Sequence, residues 1–217
     1  MNEQNDPLAK IQAGLQASIN AAITPGSLAA PTPHGEHPDA IRPKDIKWAA
    51  LKEEVKAASA AGEWDKALKL MLEMSNNDRH PEAFMARVQS AWLVVKIPAP
   101  VTDVTLVLFD LLASLEANHP AAGGVAALAN LMAMHRTPDH PQRELAQMQA
   151  QQMWPMAAKI MGINPDDNAA FEAWRSEEQL DDPNAFIPRV MGMLERMGPE
   201  VWWIDRERIQ AEMMQGE

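Results

Sequence analysis

Apolar residues recur at helical spacing along most of this chain, and the recurrence divides it into separate amphipathic segments. Trp48, Leu51, Val55 and Ala58 share one face of a helix predicted to end before Gly62. Trp64, Ala67, Leu68, Met71 and Met74 form the face of the next. The connection between them is short, so the two helices are expected to lie antiparallel as neighbours. Phe84, Val88, Ala91, Trp92 and Val95 mark a third face, stopped by Ile97-Pro98-Ala99-Pro100. Residues 101–118 are apolar on most sides, through Val104, Leu106, Val107, Leu108, Phe109, Leu111, Leu112 and Leu115. A helix buried on several faces reads this way, and the segment is expected to be the central one. Its first half alternates well enough for a strand, but its length and the lack of a partner strand decide for helix.

Seventeen prolines and ten glycines punctuate these segments. Four histidines stand directly before proline (His37, His80, His119 and His140). A residue before proline is pushed out of the α region, whereas proline suits the first helical position. The last three pairs therefore mark helix boundaries. A helix is predicted over roughly 122–135, with Gly123-Gly124 weakening its start. Another covers 142–161, where Pro155 should kink or divide it near Gln151. Asn164-Pro165 is expected to cap a short helix with Phe171 and Trp174. Asp182-Pro183 should cap one running through Phe186, Val190, Leu194 and Met197 to Gly198-Pro199. A last helix from about Pro199 would carry Trp202, Trp203, Ile209 and Met213.

The N-terminal region reads differently. After Asp6-Pro7, Ile11, Leu15, Ile19 and Ile23 recur every fourth residue and make a narrow apolar stripe on one short helix. Residues 24–45 hold five prolines and two glycines with few large apolar residues, the composition of a linker. The chain is thus read as an arm, 1–45, and a single helical domain, 46–217. The expected fold is all-α: seven to eight amphipathic helices arranged as antiparallel hairpins around a central helix, with a tethered N-terminal helix.

Within residues 48–74, the segment Ala61-Gly62-Glu63-Trp64-Asp65-Lys66-Ala67-Leu68 resembles the start of the second helix of a tetratricopeptide repeat. In that family a glycine, an aromatic and an alanine permit close helix packing. The tryptophan-to-glycine spacing is longer than the family's, and no second copy follows at a period of about 34 residues. The resemblance implies one helical hairpin of the protein-binding kind, not a repeat array.

Charge and composition narrow the function classes. Residues 164–217 carry −8 of a net charge of −11, a balance that repels phosphate and argues against nucleic-acid binding. The chain has no cysteine, so disulfides, thiol nucleophiles and thiolate metal sites are excluded. The longest apolar run, Val104 to Leu115, is too short to span a bilayer and contains Asp110. A soluble, cytoplasmic protein with no membrane insertion is expected.

Candidate chemistry is sparse. No nucleophile elbow, phosphate-binding glycine loop or dinucleotide fingerprint occurs. Glu116 and His119 have the spacing of one half of a carboxylate di-iron pair, but a second half is missing. His135, Asp139, His140 and Glu144 fall within ten residues and supply imidazole and carboxylate ligands of the kind zinc takes. A turn followed by a helix cap accounts for Asp139 and His140 equally well, and neither a metal nor another cofactor is expected. His34, Glu36, His37 and Asp39 form a similar group in the linker.

Fifteen methionines are the compositional oddity, with Met132, Met134, Met148, Met153, Met156 and Met161 in two consecutive helices. Methionine fills cores and also lines adaptable binding grooves. Adjacent residues on a helix point about 100° apart, so Trp202 and Trp203 should not share one contact, and Trp203 is expected at least partly exposed. The sequence therefore points to a non-catalytic protein-protein interaction or assembly subunit. Its candidate partner-binding residues are Ile11, Leu15, Ile19, Ile23, Met153, Met156, Trp202 and Trp203. The alternatives are a metal-binding protein or enzyme using the His135–Glu144 cluster, and a self-associating structural protein.

Overall fold

The computed structural model describes residues 43–76, 80–135 and 141–215. The chain divides into two units, Met1–Ala40 and Ile41–Glu217, and every described residue belongs to the second. The predicted N-terminal helix and nearly all of the linker lie outside the described residues, as does the group His34, Glu36, His37 and Asp39.

The described part is all-helical, as the sequence predicts. It holds nine helices: α1 Pro43–Ala61, α2 Trp64–Ser75, α3 Ala83–Lys96, α4 Val101–Ala113, α5 Ala121–His135, α6 Pro141–Ile160, α7 Asn168–Glu177, α8 Pro183–Met197 and α9 Arg206–Gln215. Helices α1 to α6 pack each on the next, α5 on α6 included although residues 136–140 between them are not described, and α4 also packs on α6. Helix α8 returns to lie on both α3 and α5. Among the described residues no helix is long and apolar enough to cross a membrane.

The predicted faces of α1 and α2 are the buried ones. Trp48, Val55 and Ala58 of α1, and Ala67, Leu68, Met71 and Met74 of α2, belong to the core. Gly62 joins the two helices at φ +75°, a left-handed conformation that glycine adopts at no steric cost. The Asp182-Pro183 start of α8 also holds: Asp182 Oδ1 accepts the Asn184 N–H at 3.0 Å, the usual way a side chain satisfies an orphan donor at a helix entry.

Five expectations change. Helix α4 stops at Ala113, five residues early, because Ser114 turns back onto the Leu111 carbonyl at 2.6 Å. Glu116 and His119 therefore lie off the helix and do not share a helical face. Helix α6 runs undivided through Pro155. The cap of α7 is Asp167, whose Oδ1 accepts from Ala169 and Ala170, while Asn164 forms an earlier turn of its own. The C-terminal helix begins at Arg206, so Trp202 and Trp203 precede it.

The fifth change concerns the centre of the fold. Helix α4 is amphipathic after all, with Leu106 49% exposed. The helix buried all round is α5, where Ala121 to Ala129 are buried without a break. Its residues are small, and this lets neighbours press in. A Cβ on Gly123 would come within 2.8 Å of the Trp174 ring and 2.9 Å of Leu180, and a Cβ on Gly124 would collide with the Val190 side chain. The two glycines weaken the helix intrinsically by about 1 kcal/mol each relative to alanine. They stand where Trp174 of α7 and Val190 of α8 approach α5.

Candidate functional site

The C-terminal segment is where side-chain chemistry is densest. It leaves α8 at Gly198 and crosses α3 and α1 before entering α9. The Trp203 backbone N–H donates to Gln89 Oε1 at 2.7 Å, and the Asp205 N–H donates to Ser59 Oγ at 2.6 Å. Both acceptors are buried. Trp202 lies edge-on to Trp92 with ring centroids 5.5 Å apart, and Trp203 lies edge-on to Trp48 at 6.5 Å. Trp203 is only 4% exposed, which overturns the expectation of an exposed anchor. Trp202 is half-buried. The two rings do part company, Trp202 to Trp92 and Trp203 to Trp48, from a stretch of chain that bends at Val201, Trp203 and Ile204.

Cations cover most of these rings. The Arg206 guanidinium sits 4.5 Å from the Trp202 centroid and 5.2 Å from that of Trp92, with Nη2 on Glu195 at 2.6 Å. Lys52 Nζ lies 5.0 Å over Trp203. Arg208 reaches over Gly62 to the Ala60 carbonyl, and lies 5.8 Å from the Trp64 ring. The Trp64 indole N–H in turn donates to Glu212 at 2.8 Å. A cation against an aromatic face contributes about 0.5–1 kcal/mol at an exposed position and more when desolvated. The segment is thereby fastened along its length.

A polar cluster absent from the sequence reading surrounds Trp48. Its ring stacks on His80 with centroids 3.7 Å apart, and its indole N–H donates to Glu82 Oε2 at 2.9 Å. Lys52 Nζ meets the other carboxylate oxygen at 2.7 Å. Partial burial pushes the Glu82 pKa up, but the bonds from Lys52 and Trp48, with the attraction of Lys52 and His80, hold it below the usual carboxylate value. Trp48 and Lys52 stand one turn apart on α1, but nothing in the sequence spacing brings Glu82, at the entry to α3, to meet them.

Where α2 begins, a shallow open cleft of 560 Å³ lies between residues 62–66 and Ile97-Pro98. A neighbouring recess of 580 Å³ shares Asp65 and Pro98 and adds Lys96, Ala99 and Pro100. Both are open to solvent and carry charges of both signs. They offer no enclosed chamber in which a reacting group could be desolvated.

The remaining predicted residues scatter. Met153 is fully buried, and Met156 is half-buried against the core. Met134 and Met148 from the same helices are instead exposed, at 57% and 42%. The Thr105 hydroxyl of α4 donates to Gln149 Oε1 of α6 at 2.9 Å, and the exposed Leu106 and Met148 are the sequence neighbours of these two residues. His135 and Glu144 are exposed, whereas Asp139, His140 and Ile11, Leu15, Ile19 and Ile23 lie outside the described residues. Among the described residues, no three of His, Asp or Glu are grouped to hold a metal ion.

No protein-family model, no curated protein and no solved structure matches this chain.

Proposed function

We propose that this protein is a non-catalytic interaction or assembly subunit, working in the cytoplasm, whose helical domain presents an adaptable apolar surface to a protein partner. The observation that carries the reading is the exposure of two large apolar side chains, Leu106 of α4 and Met148 of α6, at 49% and 42%, on helices that pack on each other. Large apolar side chains on adjoining helices lose water on contact with a partner, and methionine conforms to surfaces of varied shape. The tryptophan pair no longer supports the proposal, since its rings hold the domain together.

Replacing Leu106 and Met148 with lysine in the full-length chain tests the reading. Exposed positions tolerate such changes within about 0.5 kcal/mol, so urea denaturation should be nearly unaffected. Affinity capture with equal amounts of the two proteins should yield a partner held by the wild type and lost from the variant. Identical profiles would remove the surface from consideration.

A further inference from the structure

Fifteen methionines and no cysteine leave the thioether as the chain's one form of sulfur. Exposed thiolates are the side chains that a peroxide ordinarily consumes first, and here methionine stands in their place. A thioether has no proton to lose. Its oxidation therefore follows access to solvent and not a shifted pKa.

Access divides the methionines sharply. Met71, Met74 and Met153 are 0% exposed, enclosed in the core. Met134 in the last turn of α5, Met148 in α6 and Met213 in α9 are exposed at 57%, 42% and 43%. The residues around Met148 do the packing at that point of α6. Ala146 and Ala150 are fully buried, and Gln149 accepts the Thr105 hydroxyl of α4 at 2.9 Å. A change at the Met148 sulfur leaves those contacts in place.

We infer that Met134, Met148 and Met213 are reversible oxidation sites for an oxidant of the peroxide class. The sulfur lone pair attacks one peroxide oxygen, and the O–O bond breaks as the S–O bond forms. The other oxygen leaves as water, carrying both peroxide hydrogens. Sulfur loses two electrons and the peroxide gains them. The product is a polar sulfoxide, which methionine sulfoxide reductases return to the thioether. At Met71, Met74 or Met153 the same oxygen would stand in the core without a donor, at the cost of a buried unpaired polar group. At the three exposed positions it meets water, so the domain takes up oxygen while folded. Met148 also belongs to the surface proposed for partner binding. Control of that surface by oxidation rests on the interaction reading, whereas the oxidation sites themselves do not.

The test exposes the full-length protein to dilute hydrogen peroxide and maps sulfoxide by peptide mass spectrometry. Met134, Met148 and Met213 should be oxidised at least about tenfold faster than Met71, Met74 and Met153. The urea midpoint of protein carrying the three sulfoxides should match that of untreated protein. Each reductase acts on one sulfoxide epimer, so the two types together should return all three positions to the thioether. Equal rates at exposed and enclosed positions, a lowered midpoint, or sulfoxides that resist both reductases would overturn the inference. Failure of the interaction reading alone looks different: the Leu106 and Met148 variant captures the same proteins as the wild type, and the oxidation map is unchanged.

Discussion

The Trp203 backbone N–H and Gln89 Oε1 meet at 2.7 Å across 114 positions of sequence, inside the domain. This one bond fixes the C-terminal segment on α3 at the depth where Trp202 reaches Trp92 and Trp203 reaches Trp48. Gln89 is fully buried on an otherwise apolar face, and a buried amide at that position is explained by the backbone donor it receives.

Removing either partner should therefore register in folding. Trp203→Ala is expected to cost about 3–5 kcal/mol, the usual loss for a core aromatic. Gln89→Leu keeps the volume but leaves the Trp203 N–H buried without an acceptor, and should cost about 1–3 kcal/mol. Urea denaturation of both variants checks the pair. Changes under about 0.5 kcal/mol, the range of surface substitutions, would show that the segment is only loosely applied.

The two glycines of α5 give a prediction of opposite sign to helix propensity. Gly124→Ala should gain up to about 1 kcal/mol from propensity alone. The new methyl, however, runs into the Val190 side chain of α8, and overpacking of this kind costs about 1–3 kcal/mol. The variant should be destabilised on balance. Adding Val190→Ala should restore part of the loss, giving a favourable coupling in a double-mutant cycle. A stabilised single variant would mean that α8 does not approach α5 so closely.

How much of this was legible follows from what each segment exposes. Helices α1, α2 and α8 each have an apolar face and a polar one, and proline or glycine at their ends, so spacing locates them; α3, buried without a break from Val88 to Val94, is located by the prolines on either side of it. Helix α5 defeats the same reasoning. Its buried residues are mostly alanine and glycine, and a helix enclosed on every side has no polar face to set the period. Leu-rich α4 looked more central because its side chains are larger, yet Leu106 points to solvent. The tryptophan pair precedes the helix on which its divergence was argued, and although the two rings do meet different partners, Trp203 is buried and not exposed. The sites were less legible than the fold. The Trp48–Glu82–Lys52 cluster joins positions 34 and 30 residues apart, and no periodicity reports such a meeting. The His-Pro pairs were visible as boundaries, but the backbone N–H groups that the His80 and His119 ring nitrogens accept required coordinates.

Glu82 supplies an acid-sensitive element of the fold. Its carboxylate takes the Trp48 indole N–H at 2.9 Å and Lys52 Nζ at 2.7 Å, and its pKa in the folded protein lies below the ordinary value. A carboxylate whose folded pKa is depressed binds protons less readily in the native state than in the unfolded one. It therefore contributes stability above the unfolded value, near pH 4.3, and that contribution disappears as pH falls through the lower folded value. Because the pair is partly open to water, the contribution should not exceed about 1 kcal/mol. Glu82→Gln retains the shape and an acceptor for the indole while removing the charge. The difference in unfolding free energy between wild type and variant should be largest at about pH 6–7 and should shrink below about pH 4. A difference that stays constant across this range would assign Glu82 a packing role and no electrostatic one.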